Sequence, residues 1–195
     1  MRLVLGSRNA HKLRELGEML APHELAPLPD GIELPPETGS TFAENAVAKA
    51  RATVAATGAP ALGEDSGIVV AALGGEPGIR SARYAGESAG DAENLDKLVR
   101  ETAAADDRRA AYACALAYAG PDGEELVFEG RCEGSLAQQP RGSGGFGYDP
   151  LFVPADISRN GHGPTMAELA PSQKNAISHR GRAARLLLEW LMKRP

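Results

Sequence analysis

From Tyr112 to Gly134 the apolar pattern runs at a period of two. Tyr112, Cys114, Leu116 and Tyr118 alternate with alanines, the turn residues Gly120-Pro121-Asp122-Gly123 follow, and alternation resumes from Glu125 to Gly134. Successive side chains of a strand point to opposite faces, so this pattern predicts a β-hairpin. Other segments read as helix. Leu3-Val4-Leu5 ends at Gly6-Ser7 and leads at once into Leu13, Leu16 and Leu20 at helical spacing: strand, loop, helix. Proline and acidic residues fill 22 to 37. Thr41 and Glu44 then form a capping box before an Ala-rich helix with Phe42, Ala46, Ala50 and Val54 on one side. Strand-like Ala61-Leu62 meets Glu64-Asp65-Ser66-Gly67, and Ile68 to Leu73 is apolar before the turn at Gly74-Gly75 and Pro77-Gly78. Asp91 caps a helix that runs to Arg100, Leu151-Phe152-Val153 is a short strand, and a long amphipathic helix carries Leu186, Leu187, Trp190 and Leu191. Interleaved strands and helices, with hairpin and crossover signals together, predict an α/β domain with a mixed sheet.

The 195 residues, 43% of them hydrophobic, suit one domain spanning 1–195. The net charge is -5, and no run of basic residues is interleaved with aromatics, which argues against general nucleic-acid binding. An anionic ligand would have to be met by local Lys and Arg or by a divalent metal. Cys114 and Cys132 are too few for a disulfide framework and lack zinc-ligand spacing, so a reducing cytoplasm is expected. No segment approaches the length of a membrane span.

Residues 142 to 150, Gly-Ser-Gly-Gly-Phe-Gly-Tyr-Asp-Pro, ask most plainly for a ligand: backbone that permits close approach, Phe146 as a flat apolar face and Asp149 as an acceptor. Gly142, Gly144 and Gly147 also satisfy G-x-G-x-x-G, but that fingerprint needs a strand before it and a helix after it. Here Gln138-Gln139-Pro140 precedes and Asp149-Pro150 blocks a helix. The loop Ser7-Arg8-Asn9-Ala10-His11-Lys12 lies at a strand-to-helix junction, where free N–H groups favour an anion, although its spacing is not that of a P-loop. Glu64-Asp65 reads either as oxygen ligands for Mg²⁺ and a base for water, or as a turn. Glu37 precedes Thr38-Gly39. Lys174, Asn175, Ser178, His179 and Arg180 form the other dense polar group, suited to phosphates or a carbonyl-bearing base. Neither Ser66 nor Cys114 has a base that would make it a nucleophile.

Together these stretches resemble the Ham1-like nucleoside triphosphate pyrophosphatases. The resemblance is carried in order by SRNAHKLREL at 7 to 16, ETGSTFAENAVAKA at 37 to 50, GEDSGIVVAALGGEPGIRSARYAG at 63 to 86, GSGGFGYDPLF at 142 to 152 and AELAPSQKNAISHRGRA at 167 to 183. It implies an elongated mixed β-sheet with flanking helices in two lobes, a nucleotide cleft between them, and a homodimer. The implied reaction is cleavage of ITP, dITP or XTP between the α and β phosphates, with Mg²⁺. By the same resemblance Ser7, Arg8, Asn9, Ala10, His11 and Lys12 form the phosphate loop, with Lys12 on the triphosphate. Asp65 is the catalytic acid/base and a metal ligand, Glu37 a second metal ligand, and Ser66 a substrate contact. Phe146, Gly147, Tyr148 and Asp149 make the nucleoside pocket, and Lys174, His179 and Arg180 complete the contacts. Pro36 stands where many relatives carry a second acidic residue, which sets Asp65 ahead of Glu37 as ligand. Hypoxanthine or xanthine would be preferred over adenine if Arg180 or nearby N–H groups donate to a 6-oxo group. The rival reading is a nucleotide-binding regulator of the same fold without turnover.

Overall fold

The computed structural model describes residues 1–158 and 162–194. Its strands are β1 (Arg2–Gly6), β2 (Glu24–Ala26), β3 (Ala61–Val70), β4 (Arg109–Ala119), β5 (Glu125–Leu136) and β6 (Phe152–Pro154). Its α-helices are α1 (Ala10–Met19), α2 (Phe42–Thr57), α3 (Asp91–Glu101), α4 (Pro171–Ile177) and α5 (His179–Leu191). The six strands form one sheet in the order β2-β1-β3-β4-β5-β6, with β1 parallel to β2 and β3, and β5 antiparallel to β6. This is the expected mixed α/β sheet, and the hairpin is β4 and β5.

Two compact units share the chain. The first comprises Met1–Asp65, Cys114–Gly130 and His179–Pro195, the second Ser66–Ala113 and Arg131–Ser178. The chain passes from one to the other within β3, β4 and β5, and again between α4 and α5.

The first unit buries both faces of β1, β3 and its part of β4. On one face Leu3, Leu5, Leu62, Cys114, Leu116 and Tyr118 pack with Leu16 and Leu20 of α1 and with Ala183, Ala184, Leu187 and Leu191 of α5. On the other, Ala115, Ala117 and Ala119 meet Ala46 and Ala50 of α2. The alternate alanines of β4 are therefore a second interior face, sized for close approach of an equally small helix. That approach is limiting at Gly63, where a Cβ would lie 1.9 Å from the Ala46 carbonyl oxygen. In the second unit Ile68, Val70, Leu98, Tyr112, Leu151, Phe152 and Met166 form one core, with the Tyr112 and Phe152 rings 4.7 Å apart.

Several local expectations are corrected. The 22 to 37 stretch contains β2, paired parallel to β1. Glu64-Asp65-Ser66-Gly67 does not turn but runs inside the ten-residue β3, because Glu64 and Asp65 find buried partners there. Gly90, not Asp91, caps α3, with Glu93 accepting from the Gly90 N–H at 2.8 Å. Thr41 does cap α2, but the Glu44 carboxylate turns to the Ser40 N–H (2.6 Å) and hydroxyl (2.9 Å). Leu186 is 46% exposed and lies off the buried stripe of α5.

Candidate active site

The charged candidate residues lie in the first unit. After β1, Asn9 caps α1, its side-chain oxygen accepting from the His11 N–H (2.9 Å) and the Lys12 N–H (3.1 Å), while Ser7 Oγ accepts from the Asn9 N–H at 3.2 Å. Arg8 turns to the neighbouring loop, donating to the carbonyls of Leu28 (3.3 Å), Pro29 (3.0 Å) and Ile32 (2.9 Å). His11 is exposed beside Arg14, and Ala10 opens the helix. Of the six loop residues, Lys12 is the one whose charge meets the buried carboxylates.

Those carboxylates are Glu64 and Asp65, adjacent on β3 and hence directed to opposite faces of the sheet. Glu64 shares the side of Leu62. Its Oε2 lies 2.5 Å from Lys12 Nζ, and its Oε1 accepts from Arg180 Nη2 (2.9 Å), Arg180 Nε (3.2 Å) and the Cys114 thiol (3.5 Å). Arg180 Nη1 donates to Glu15 Oε2 at 2.6 Å. Two carboxylates and two cations balance. Burial disfavours the Arg180 charge, but Glu64 and Glu15 outweigh it and hold the guanidinium firmly protonated. Burial, with Glu64 beside it, pushes the Cys114 thiol well above its ordinary pKa.

Asp65 faces α2. Its Oδ2 accepts from Asn45 Nδ2 at 3.0 Å and its Oδ1 from Lys49 Nζ at 3.2 Å; Lys49 also donates to Glu37 and, at 3.2 Å, to the Glu64 carbonyl. Lys49 thus stands between the Glu37 and Asp65 carboxylates. Burial raises the Asp65 pKa above the aspartate range; Lys49 opposes that rise and Glu37 adds to it. Burial alone would lower the Lys49 pKa, but Asp65 and then Glu37 raise it on balance. The ammonium stays charged and the carboxylate is a better base than an exposed aspartate.

An aromatic group of candidate residues lies in the second unit. Asp149 is nearly fully buried and accepts three donors: Phe146 N–H at 2.9 Å, Tyr112 OH at 3.2 Å and Lys174 Nζ at 2.6 Å. Lys174 Nζ also sits 4.9 Å from the Phe146 ring centroid. The loop around them holds non-helical turns, as its sequence predicts. Gly145 has φ +70°, and a Cβ there would lie 2.0 Å from Asp149 Oδ2, so neither the backbone nor the space admits a side chain. The Gly147 N–H donates to Asp91, and the Tyr148 hydroxyl to the Ser81 carbonyl at 2.7 Å. Ser66 is the next residue of β3, partly buried.

Sequence reasoning thus names residues that fall into two groups, Lys12, Asp65, Glu37 and Arg180 in the first unit, and Phe146 to Asp149 with Lys174 in the second. His179 is buried at the first position of α5. Sequence reasoning misses Asn45, Lys49, Glu15 and Tyr112. One signal was available. Asn45 and Lys49 lie four apart on the same helix face as Ala46 and Ala50, and polar groups on a buried alanine face require partners. Donation by Arg180 to a 6-oxo group is not prepared: its side chain is 2% exposed and its hydrogen bonds go to Glu64 and Glu15.

The model of the Ham1 family matches residues 3–190. The chain belongs to the Ham1 family. A dITP/XTP pyrophosphatase of Streptomyces coelicolor is 49% identical, the match covering 96% of this chain and 95% of that one. One of Symbiobacterium thermophilum is 50% identical over 97% and 94%. The solved structure of a HAM1 protein from Coxiella burnetii superposes with a TM-score of 0.87 at 42% identity, covering all of both chains.

Proposed function

We propose that this chain hydrolyses dITP, ITP and XTP to the monophosphate and pyrophosphate, removing hypoxanthine and xanthine nucleotides from the nucleotide pool. The observation that carries this reading is the Asp65 cluster: a buried carboxylate of raised basicity, oriented by Asn45 and Lys49, on the strand whose preceding residue holds Lys12. Membership of the Ham1 family and the dITP/XTP pyrophosphatase activity of its relatives supply the substrate class.

Breaking the anhydride requires an oriented water, neutralised phosphate oxygens and a stabilised pyrophosphate. Asp65 takes the proton of the attacking water. Lys12 meets the triphosphate, and Phe146 stacks on the base. Mg²⁺ is part of the proposal. Glu37 and Asp65 offer hard oxygen donors beside each other around Lys49, which fits an ion held by one or two carboxylates together with substrate phosphates. Among the described residues no group of three or more His, Cys, Asp and Glu side chains could hold a metal without such help. When bound, Mg²⁺ would supply charge neutralisation on the phosphate oxygens. Cytoplasmic location and a homodimer complete the reading. No helix among the described residues is long and apolar enough to cross a membrane.

The test is a panel of nucleoside triphosphates incubated with Mg²⁺ and with EDTA, the phosphate products being identified. Pyrophosphate release from ITP, dITP or XTP that stops in EDTA is expected. Binding without release would mark a regulator, and undiminished release after thorough chelation would remove Mg²⁺ from the mechanism.

A further inference from the structure

Glu64 is not needed at the phosphorus, yet its side chain is fully buried and touches two residues of the proposed site. We infer that Glu64 is a positioning residue, whose carboxylate fixes the Lys12 ammonium by dividing its two oxygens between Lys12 and Arg180. The inference rests on the reading that Lys12 meets the triphosphate.

A lysine ammonium ends a flexible four-carbon stem and, solvated, samples many rotamers. Here Lys12 Nζ is drawn to 2.5 Å from Glu64 Oε2. The contact is a charge contact between buried groups, and it sets where the ammonium stands. Glu64 is itself immobilised. Its Oε1 takes two Arg180 donors and the Cys114 thiol, and its backbone carbonyl accepts from Lys49. Arg180 is in turn held by Glu15, a residue of α1 one turn after Lys12. The chain Lys12, Glu64, Arg180, Glu15 thus begins and ends on one helix, a closed brace that sets where the Lys12 charge stands. The competing explanation is that Glu64 serves only as the counter-ion of buried Arg180, in which case it affects stability and not Lys12.

A double-mutant cycle of Lys12→Met and Glu64→Gln, with kcat and KM for ITP and a thermal melt on each variant, separates these. Glu64→Gln keeps shape and removes charge; kcat is expected to fall about tenfold with KM changed less than about twofold, because fixing Lys12 matters most where charge develops. In the Lys12→Met background the same substitution should lower kcat by less than about twofold, since residues that act through one another do not add. Independent, multiplying effects would overturn the inference while leaving the proposed reaction standing. Unchanged turnover in Lys12→Met would overturn the reading that Lys12 meets the triphosphate, and the inference with it, while the reaction itself would be confirmed. Should Glu64→Gln fail to fold, reductive methylation of the wild-type protein, followed by mass spectrometry, is the second measurement. Lys12 is expected to react at least about tenfold more slowly than exposed Lys193, because its ammonium is held against buried Glu64 and is only 15% exposed to reagent. Equal rates would overturn the inference.

Discussion

The two groups of candidate residues, one in each unit, are built on opposite terms. Around Asp65, two carboxylates face one ammonium; burial raises the Asp65 pKa, Lys49 opposes that rise and Glu37 adds to it. Around Asp149, three donors converge on one carboxylate, which is saturated and serves to hold the Phe146 loop and Lys174 in place. Unspent charge is a resource for chemistry. Spent charge is a resource for shape.

The comparison breaks first at Asp149. Asp149→Ala leaves Lys174 charged and buried without its carboxylate, and should cost about 3–5 kcal/mol of stability by chemical or thermal denaturation. A loss below about 1 kcal/mol would show that the ion pair does not hold this group together. Asp65→Asn keeps the Asn45 and Lys49 surroundings but removes the base, so turnover of ITP should fall by about 10²-fold or more while the melt survives. Near-normal turnover would end its role as base. Phe146→Ala should weaken IMP binding by about 1–3 kcal/mol, the worth of a base stacked on an aromatic ring, and act mainly on KM. Lys12→Ala should instead lower kcat and leave IMP binding nearly intact. If the two variants exchanged these signatures, the assignment of charge to one group and shape to the other would be reversed. The smallest effect is expected at Cys114. With its pKa raised, the thiolate fraction at pH 8 falls below that of an ordinary cysteine, so iodoacetamide should leave it unmodified in the native protein and label it in denaturant.

The sequence made the architecture and much of the site legible, for different reasons. Period-two alternation and the Gly-Pro-Asp-Gly turn describe β4 and β5 because strand geometry is local. The glycines of the 142 to 150 loop likewise announce backbone conformations that other residues rarely adopt. Lys12, Asp65 and Phe146 could be named from motifs, but their partners could not. Glu15 and Arg180 lie 165 residues apart and meet only through packing. Lys49 sits on what reads as an alanine helix, and Tyr112 among the apolar residues of a strand. Arg8 is the converse case: its loop position suggests phosphate, while its planar donors are engaged by the nearby carbonyls of Leu28, Pro29 and Ile32.

The face change between residues 64 and 65 also governs how this strand could diverge. Deleting one residue ahead of Glu64 would turn Glu64 toward Lys49 and Asp65 toward Arg180, exchanging a brace for a base. It would also place a side chain where Gly63 now lies against the Ala46 carbonyl. A two-residue deletion would restore the facing but slide both carboxylates about 7 Å along the strand, beyond their partners. Insertions and deletions between Ala61 and Asp65 are therefore closed to any descendant that keeps the reaction, and single-residue replacement is the one route of change left open there.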